Sequence, residues 1–524
     1  MIAIDIVRRS VVLLGLAAVM GLTLTAQARQ TFRTSTRLIE VAVVVTDKDR
    51  KPVPGLTRAD FTVEEDRQAQ TISFFEVRDT RTLAATGSPG SIRPAPGSHV
   101  FSNAVAGNEG VTTVLLFDRQ NASFASQRYG TQHIDRYLAN MRPDDRVALY
   151  ALDGGIRVLH DFTSDGASLR RALDVYEART TGQYDASVEL PPDGATGVWL
   201  ADPAANVSEY FVRRRSLETF QAMETLAGHL AGIGGRKTVV WVSEAFALPT
   251  GLGRAEMLHR LHRATEALSH AQASLYPVDA RGLVGSHSIG PRGRPMFNTM
   301  AMIAPNIDTM HVLADDTGGR VFAHTNALDR SITRAVDDGR LTYVLGYYPT
   351  ASALNGRFRR IEVKMKDRRL LVRHRAGYLA SPAPPSDAAS RESLLLEALQ
   401  APLQTTGIGL TAEVTRTNGA EVDLAIRIDL ATMTLERDGA HWRGTADLLI
   451  AEVLPGGRGE VRATVPLALA LTDEGRAAAV EQGLVIERRV TLDPKVLQLR
   501  IVARDVPTGR VGSLVMPARL LAIR

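Results

Sequence analysis

The chain of 524 residues contains no cysteine. That excludes disulfides, thiol nucleophiles, iron–sulfur clusters and cysteine-type zinc sites, and it leaves stability to cores of ordinary size. Charge of one sign is lacking too. Against 62 Lys and Arg stand 57 Asp and Glu, a net +5, so nothing global demands nucleic acid. Aromatic residues make up 5% of the chain. They are sparse along its densest basic stretch, Arg357 to Arg375, which reads as a hairpin with one solvated face. No G-x-S-x-G elbow, no H-E-x-x-H helix, no P-loop and no G-x-G-x-x-G at a strand–helix junction occurs. His259 and His262 lie three apart on a basic helical stretch with no Glu between them, the spacing of surface histidines rather than a zinc pair.

The first segment reads as an address. Arg8 and Arg9 form a charged head, an apolar run extends from Val11 to about Leu24, and Ala26-Gln27-Ala28 follows in small-x-small form. Residues 1–28 are therefore expected to be a signal peptide cleaved after Ala28. The run is short for an uncleaved anchor, and no later run is long and apolar enough to span a bilayer. The expected location is outside the cytoplasm, periplasmic or extracellular. The remaining length suits about three domains.

Residues 29–78 read as a small β-domain, with Ile39, Val41, Val43 and Val45 alternating on one face. Residues 79–110 are rich in Gly, Pro, Ser and Asn and read as a linker. From 111 to 380 strands alternate with helices, the pattern of a doubly wound α/β sheet. "TTVLLFD" is a strand apolar on both faces. "DRVALYALDGGIRVLHDF" is a hairpin turned by Asp153-Gly154-Gly155, and Ser164 or Asp165 starts a helix. Residues 179–213 read as a polar insertion carrying Tyr184, Trp199, Tyr210 and Phe211, and 341–380 as a β extension of this domain. A Pro/Ser linker over 381–390 precedes residues 391–524. There, strands such as "EVDLAIRIDL" and "KVLQLRIVARD" alternate as in a β-sandwich.

The motifs "TTVLLFD", "DRVALYALDGGIRVLHDF", "GRKTVVWVSEAF" and "LADDTGGRVF" together resemble a von Willebrand factor A domain. The flanks "VTDKDRKPVPGLTRADFTVEEDRQAQTISFFEV", "SLYPVDARGL", "YVLGYYPT" and "RHRAGYLA" are similar to bacterial exported VWFA-related proteins of acidobacterial type. The resemblance implies a Rossmann-like domain used for binding, and an oxygen cage for Mg²⁺ or Mn²⁺ at the carboxyl end of the sheet. Asp118 matches the first ligand of that cage. Gln120 and Ala122 stand where serines are expected, with Asn121 and Ser123 one place late. Thr180 or Thr181 is the candidate hydroxyl of the second loop, and Ser243 and Glu244 replace a Thr-Asp pair. The metal set is thus Asp118, Asn121, Ser123, Ser243 and Glu244, a degenerate one expected to bind weakly or not at all, with no other cofactor.

The strands ending at Asp118, Glu244 and Asp279 should bring three carboxylates to one pole. That pole is the candidate partner-binding surface, with Arg119 or Arg281 as internal counter-charge. The expected function is a non-enzymatic exported protein-interaction module of adhesion or scaffold type. Its partner would be an envelope or extracellular protein, not nucleic acid. A hydrolase with an unrecognised site at the same pole and a purely structural envelope protein are the alternatives.

Overall fold

The computed structural model describes residues 38–79, 100–104, 111–176, 203–244, 254–282, 307–350, 355–380 and 387–521. The leader, Thr180, Thr181, Tyr184 and Trp199 lie outside them, as do the side chains of Tyr210 and Phe211. No helix among the described residues is long and apolar enough to cross a membrane.

The central sheet has five strands, in the spatial order Ala273–Asp279, Lys237–Ser243, Val111–Asp118, Asp145–Leu152, Ile156–Thr163. The first four are parallel, and the last runs back antiparallel as the hairpin partner of Asp145–Leu152. Gly154 makes that turn at φ +66°, where a side chain would be strained. The strands are apolar on both faces because helices cover both. Val114, Leu116, Tyr150, Val239 and Trp241 face helices Pro203–Leu230 and Arg254–His270. Leu115, Phe117, Val147, Val240 and Tyr276 face helices Phe124–Ala139 and Leu328–Asp338. This is a doubly wound α/β layer. Asp165 caps helix Gly166–Val175 by accepting from the Ala167 amide. The stretch "RVF", read as a further strand, contributes a parallel bridge between Phe322 and Val278.

Residues 38–79 do not form a sheet on their own. Ile39–Thr46 pairs with Leu341–Tyr347 and with Leu371–Arg373, and Ile72–Asp79 lies on the far side of Leu341–Tyr347. Facing this sheet, Phe61–Glu65 pairs with Phe358–Met365, flanked by Gly377–Leu379 and Gln68–Gln70. The two sheets share one core of Val41, Val43, Val63, Tyr343, Leu345, Ile361 and Val363. The separate N-terminal β-domain and the β extension 341–380 are thus two halves of one sandwich. Each half has apolar faces that it cannot bury alone. The basic stretch is likewise not a hairpin, because Phe358–Met365 and Leu371–Arg373 lie in opposite sheets. Two of its charges are spent within this sheet, Lys364 on Glu64 at 2.7 Å and Arg359 on Asp66 at 3.2 Å.

The C-terminal strands form a second sandwich around Leu424, Ile426, Leu448, Ile450, Ile501 and Leu514. The stretch expected as a linker over 79–110 supplies one of its edge strands, Val100–Ser102. Asn103 fixes that edge: its amide donates to the carbonyls of Thr405 and Ile408, and its oxygen accepts from the Leu410 amide at 2.7 Å. Helix Ala388–Gln400 begins inside the other expected linker and packs on the outer face of this sandwich. The insertion 179–213 is shortened in the same way, since its last turns belong to helix Pro203–Leu230. The end of that helix carries the junction with the sandwich. Gly232 passes so close to Thr406 that a Cβ there would meet the Thr406 carbonyl oxygen at 2.0 Å. His229 bridges from Tyr150 (3.0 Å) to the Gln404 carbonyl (2.7 Å).

Candidate functional site

The carboxyl ends of three adjacent strands bring Asp118, Ser243 and Asp279 to one level. Phe117 is in register with Val242, and Ser243 with Asp279. Asp118 is 0% exposed. Its Oδ1 accepts from the Asn121 amide N–H at 2.9 Å. Its Oδ2 accepts from Asn121 Nδ2 at 2.8 Å, from the Trp241 indole at 3.0 Å and from the Ser243 hydroxyl at 2.7 Å. Burial pushes the Asp118 carboxyl above the usual carboxylate range, and the bonds from Asn121, Ser243 and Trp241 oppose that shift.

A carboxylate offers about four acceptor positions, two on each oxygen; here three protein donors reach Oδ2 and one reaches Oδ1. Two of those donors are side-chain N–H groups, which present positive hydrogen where a cation would have to approach. The residues around Asp118 therefore do not fit a metal cage. Of the other members of the expected set, Asn121 and Ser243 bond to Asp118, and Ser123 and Glu244 bond to each other. Ser123 caps helix Phe124–Ala139 and donates its hydroxyl to Glu244 at 2.5 Å. Asn121 donates a second time, to the Thr219 hydroxyl at 3.0 Å. Gln120, in the place of a ligand serine, is buried and ties the loop down, donating to the Arg215 carbonyl and accepting from the Gly154 amide. Among the described residues no group of three His, Asp or Glu side chains is arranged to hold a metal ion.

The three acids expected at the pole are brought to the same end of the sheet but differ in access. Asp279 is 1% exposed and clamped by Arg281, Nε to Oδ1 at 2.9 Å and Nη2 to Oδ2 at 2.8 Å. The Asp279 bond raises the Arg281 pKa above its ordinary value, and the charge of Glu244 adds to the shift. Arg119 turns away from the acids to Gln127, Tyr176 and Asp153. Glu244 is partly exposed and held from one side by Ser123.

Two residues that complete this arrangement were not singled out in the sequence, Trp241 and Thr219. A tryptophan inside a buried strand reads as core. Its signal was the indole N–H, which needs a partner wherever it is buried, and the register sets Trp241 beside Leu116, two residues before Asp118.

No family model matches the chain, and no curated protein matches it. Among solved structures, it is similar to an aerotolerance-related membrane protein from Bacteroides fragilis, at 14% identity and a TM-score of 0.25 over 44% of this chain and 99% of that one. It is similar to the conserved hypothetical protein BatB from Bacteroides thetaiotaomicron, at 13% identity and a TM-score of 0.23 over 43% and 97%. A von Willebrand factor type A protein from Catenulispora acidiphila aligns at 10% identity and a TM-score of 0.24 over 90% and 78%. Likenesses at that level assign neither a site nor an activity to this chain.

Proposed function

We propose that the protein is a non-catalytic protein-interaction module of the cell envelope, exported by its leader, whose carboxyl pole meets a partner without a metal ion. One observation carries the reading. Asp118, the residue around which a cation site would be built, is buried and already accepts from Asn121, Trp241 and Ser243, three of the four bonds falling on Oδ2. A contact made at this pole then falls to the accessible rim, Glu244 with Arg281 beside it, while Asp118 and Asp279 hold the strand ends in place. A hydrolase gains no support from Ser243. That serine is fully buried, and its single hydroxyl proton lies between Asp118 Oδ2 at 2.7 Å and the Glu244 carbonyl at 2.8 Å, with no histidine among its partners.

Calorimetry with MgCl₂ and MnCl₂ tests the metal half of this reading. The expected result is no saturable heat up to millimolar metal. Micromolar affinity that disappears in Asp118→Ala would overturn it. A photo-cross-linker placed at position 244 tests the other half. The expected product is a discrete adduct with an envelope protein, lost when the crosslinker is moved to a position on the opposite end of the sheet. Equal labelling from both ends would remove the pole as the contact.

A further inference from the structure

At the opposite end of the central sheet, where the strands begin, three arginines converge from three elements. Arg236 immediately precedes strand Lys237–Ser243, Arg320 follows the Gly318-Gly319 turn, and Arg373 closes the sandwich strand Leu371–Arg373. Arg236 donates through Nη2 to the Tyr276 hydroxyl at 3.0 Å and to the Gly318 carbonyl at 2.7 Å, two neutral acceptors. Arg320 Nε and Arg373 Nη2 lie 3.2 and 2.7 Å from the same oxygen of Asp338. Arg320 and Arg373 thus share one carboxylate oxygen, while Arg236 donates to neutral groups. Asp338 is itself the last residue of helix Leu328–Asp338, so its charge stands at the negative end of the helix dipole.

The hydrogen bonding is as unbalanced as the charge. Arg236 Nε and Nη1, Arg320 Nε, and Arg373 Nε and Nη2 are buried without an aligned acceptor. The two contacts to Asp338 are close in distance but off the hydrogen-bonding axis, and Asp338 Oδ2 has no aligned donor either. Arg236 is 8% exposed. Native interiors leave few polar groups unpaired, and a buried guanidinium without a counter-charge is costly. Burial also lowers the pKa of Arg320, with Asp338 opposing that shift and Arg373 adding to it.

We propose that this cluster binds a free tetrahedral oxyanion, of which inorganic phosphate and sulfate are the probes. The fork of a guanidinium matches two oxygens of such an ion, and three forks from three directions suit its shape. The donors are buried, which shuts out a headgroup fixed in a bilayer. Because Arg373 belongs to the flanking sandwich and Arg236 and Arg320 to the α/β layer, the bound ion joins the two units.

The test is calorimetry on the purified full chain with sodium phosphate and sodium sulfate, against chloride at matched ionic strength. The expected result is one saturable site and a melting midpoint that rises by about 3 °C near saturation. Affinity should fall at least about tenfold in Arg236→Met and in the more accessible Arg373→Gln. Arg373→Gln keeps the test decisive if Arg236→Met does not fold. Heat that grows linearly with phosphate, or equal affinity in wild type and Arg373→Gln, would overturn the proposal. Co-sedimentation with phosphatidylglycerol vesicles that depends on Arg373 would overturn the free ion as the ligand.

Discussion

The two ends of the central sheet solve opposite problems. At the carboxyl end, Asp118 and Asp279 are buried, and each is met by donors from its own chain: Asn121, Trp241 and Ser243 on one, Arg281 on the other. In the cluster of Arg236, Arg320 and Arg373 at the amino end, donors outnumber acceptors, and five buried guanidinium nitrogens find none in line. A saturated cluster holds a fold together and has nothing left to offer a small ion. An unsaturated one is where a small ligand gains most. The end that family resemblance marks for a metal is therefore the closed one. The motifs that hold the arginines of the open one read as strands and turns, not as a site.

The contrast breaks if the saturated end proves dispensable. Asp118→Ala strands the Trp241 indole and the Asn121 amide in the core, and it should lower unfolding stability by roughly 3–5 kcal/mol. Urea denaturation measures this, and a loss below about 1 kcal/mol would mean that the four bonds to Asp118 contribute nothing net. Trp241→Phe keeps an aromatic ring but removes one donor and leaves a small cavity in place of the second ring. It should cost about 2–3 kcal/mol by the same measurement and still bind no Mg²⁺. If that variant did bind the ion, the indole alone would be what closes the site.

The smallest effect lies near the amino end, at the junction with the C-terminal sandwich. Burial lowers the His229 pKa below its usual value near 6.5, and the bond to the Gln404 carbonyl opposes this in part. His374, inside the flanking sandwich, is lowered for the same reason. Both are held neutral in the folded state. Their contribution is fully present above about pH 6.5 and is lost as pH falls from there toward the depressed folded values. Each histidine then contributes a slope of at most about 1.4 kcal/mol per pH unit. Thermal unfolding between pH 7.5 and 5 should show the fall, and His229→Gln should flatten it. A stability that rises on acidification over that range would contradict the neutral assignment.

Much of the α/β layer was legible because its signals are local. The apolar strand ending at Asp118, the Asp153-Gly154-Gly155 turn and the Asp165 cap all act within a few residues of themselves. Pairing over long distances was not. The alternation of Ile39, Val41, Val43 and Val45 says that one face is buried. It does not say that the strand's partners lie at Leu341–Tyr347 and Leu371–Arg373. The stretch 79–110 is loop-like in composition, yet three of its residues, Val100–Ser102, complete a sheet edge through main-chain bonds that composition does not encode. At the site, Asp118 and Glu244 stood out by charge, whereas Trp241 and Thr219 act through a single hydrogen-bonding group on otherwise ordinary core positions. The arginine cluster was hidden for a related reason: Arg236, Arg320 and Arg373 lie in three separate motifs, "GRKTVVWVSEAF", "LADDTGGRVF" and "RHRAGYLA", and nothing within any one of them says that the three meet.

The sandwich shared between residues 39–79 and 341–379 also sets a timetable. Strand Ile39–Thr46 leaves the ribosome about 300 residues before its partner Leu341–Tyr347. At typical elongation rates that is a wait of roughly 15–60 s. Every strand of the α/β layer is made within that interval, so the layer grows as a long insertion between two halves that cannot pair until it is complete. A chain with this wiring presents a bare, alternating apolar edge for most of its synthesis. Keeping that edge from pairing with a neighbouring chain is then a task set by the topology.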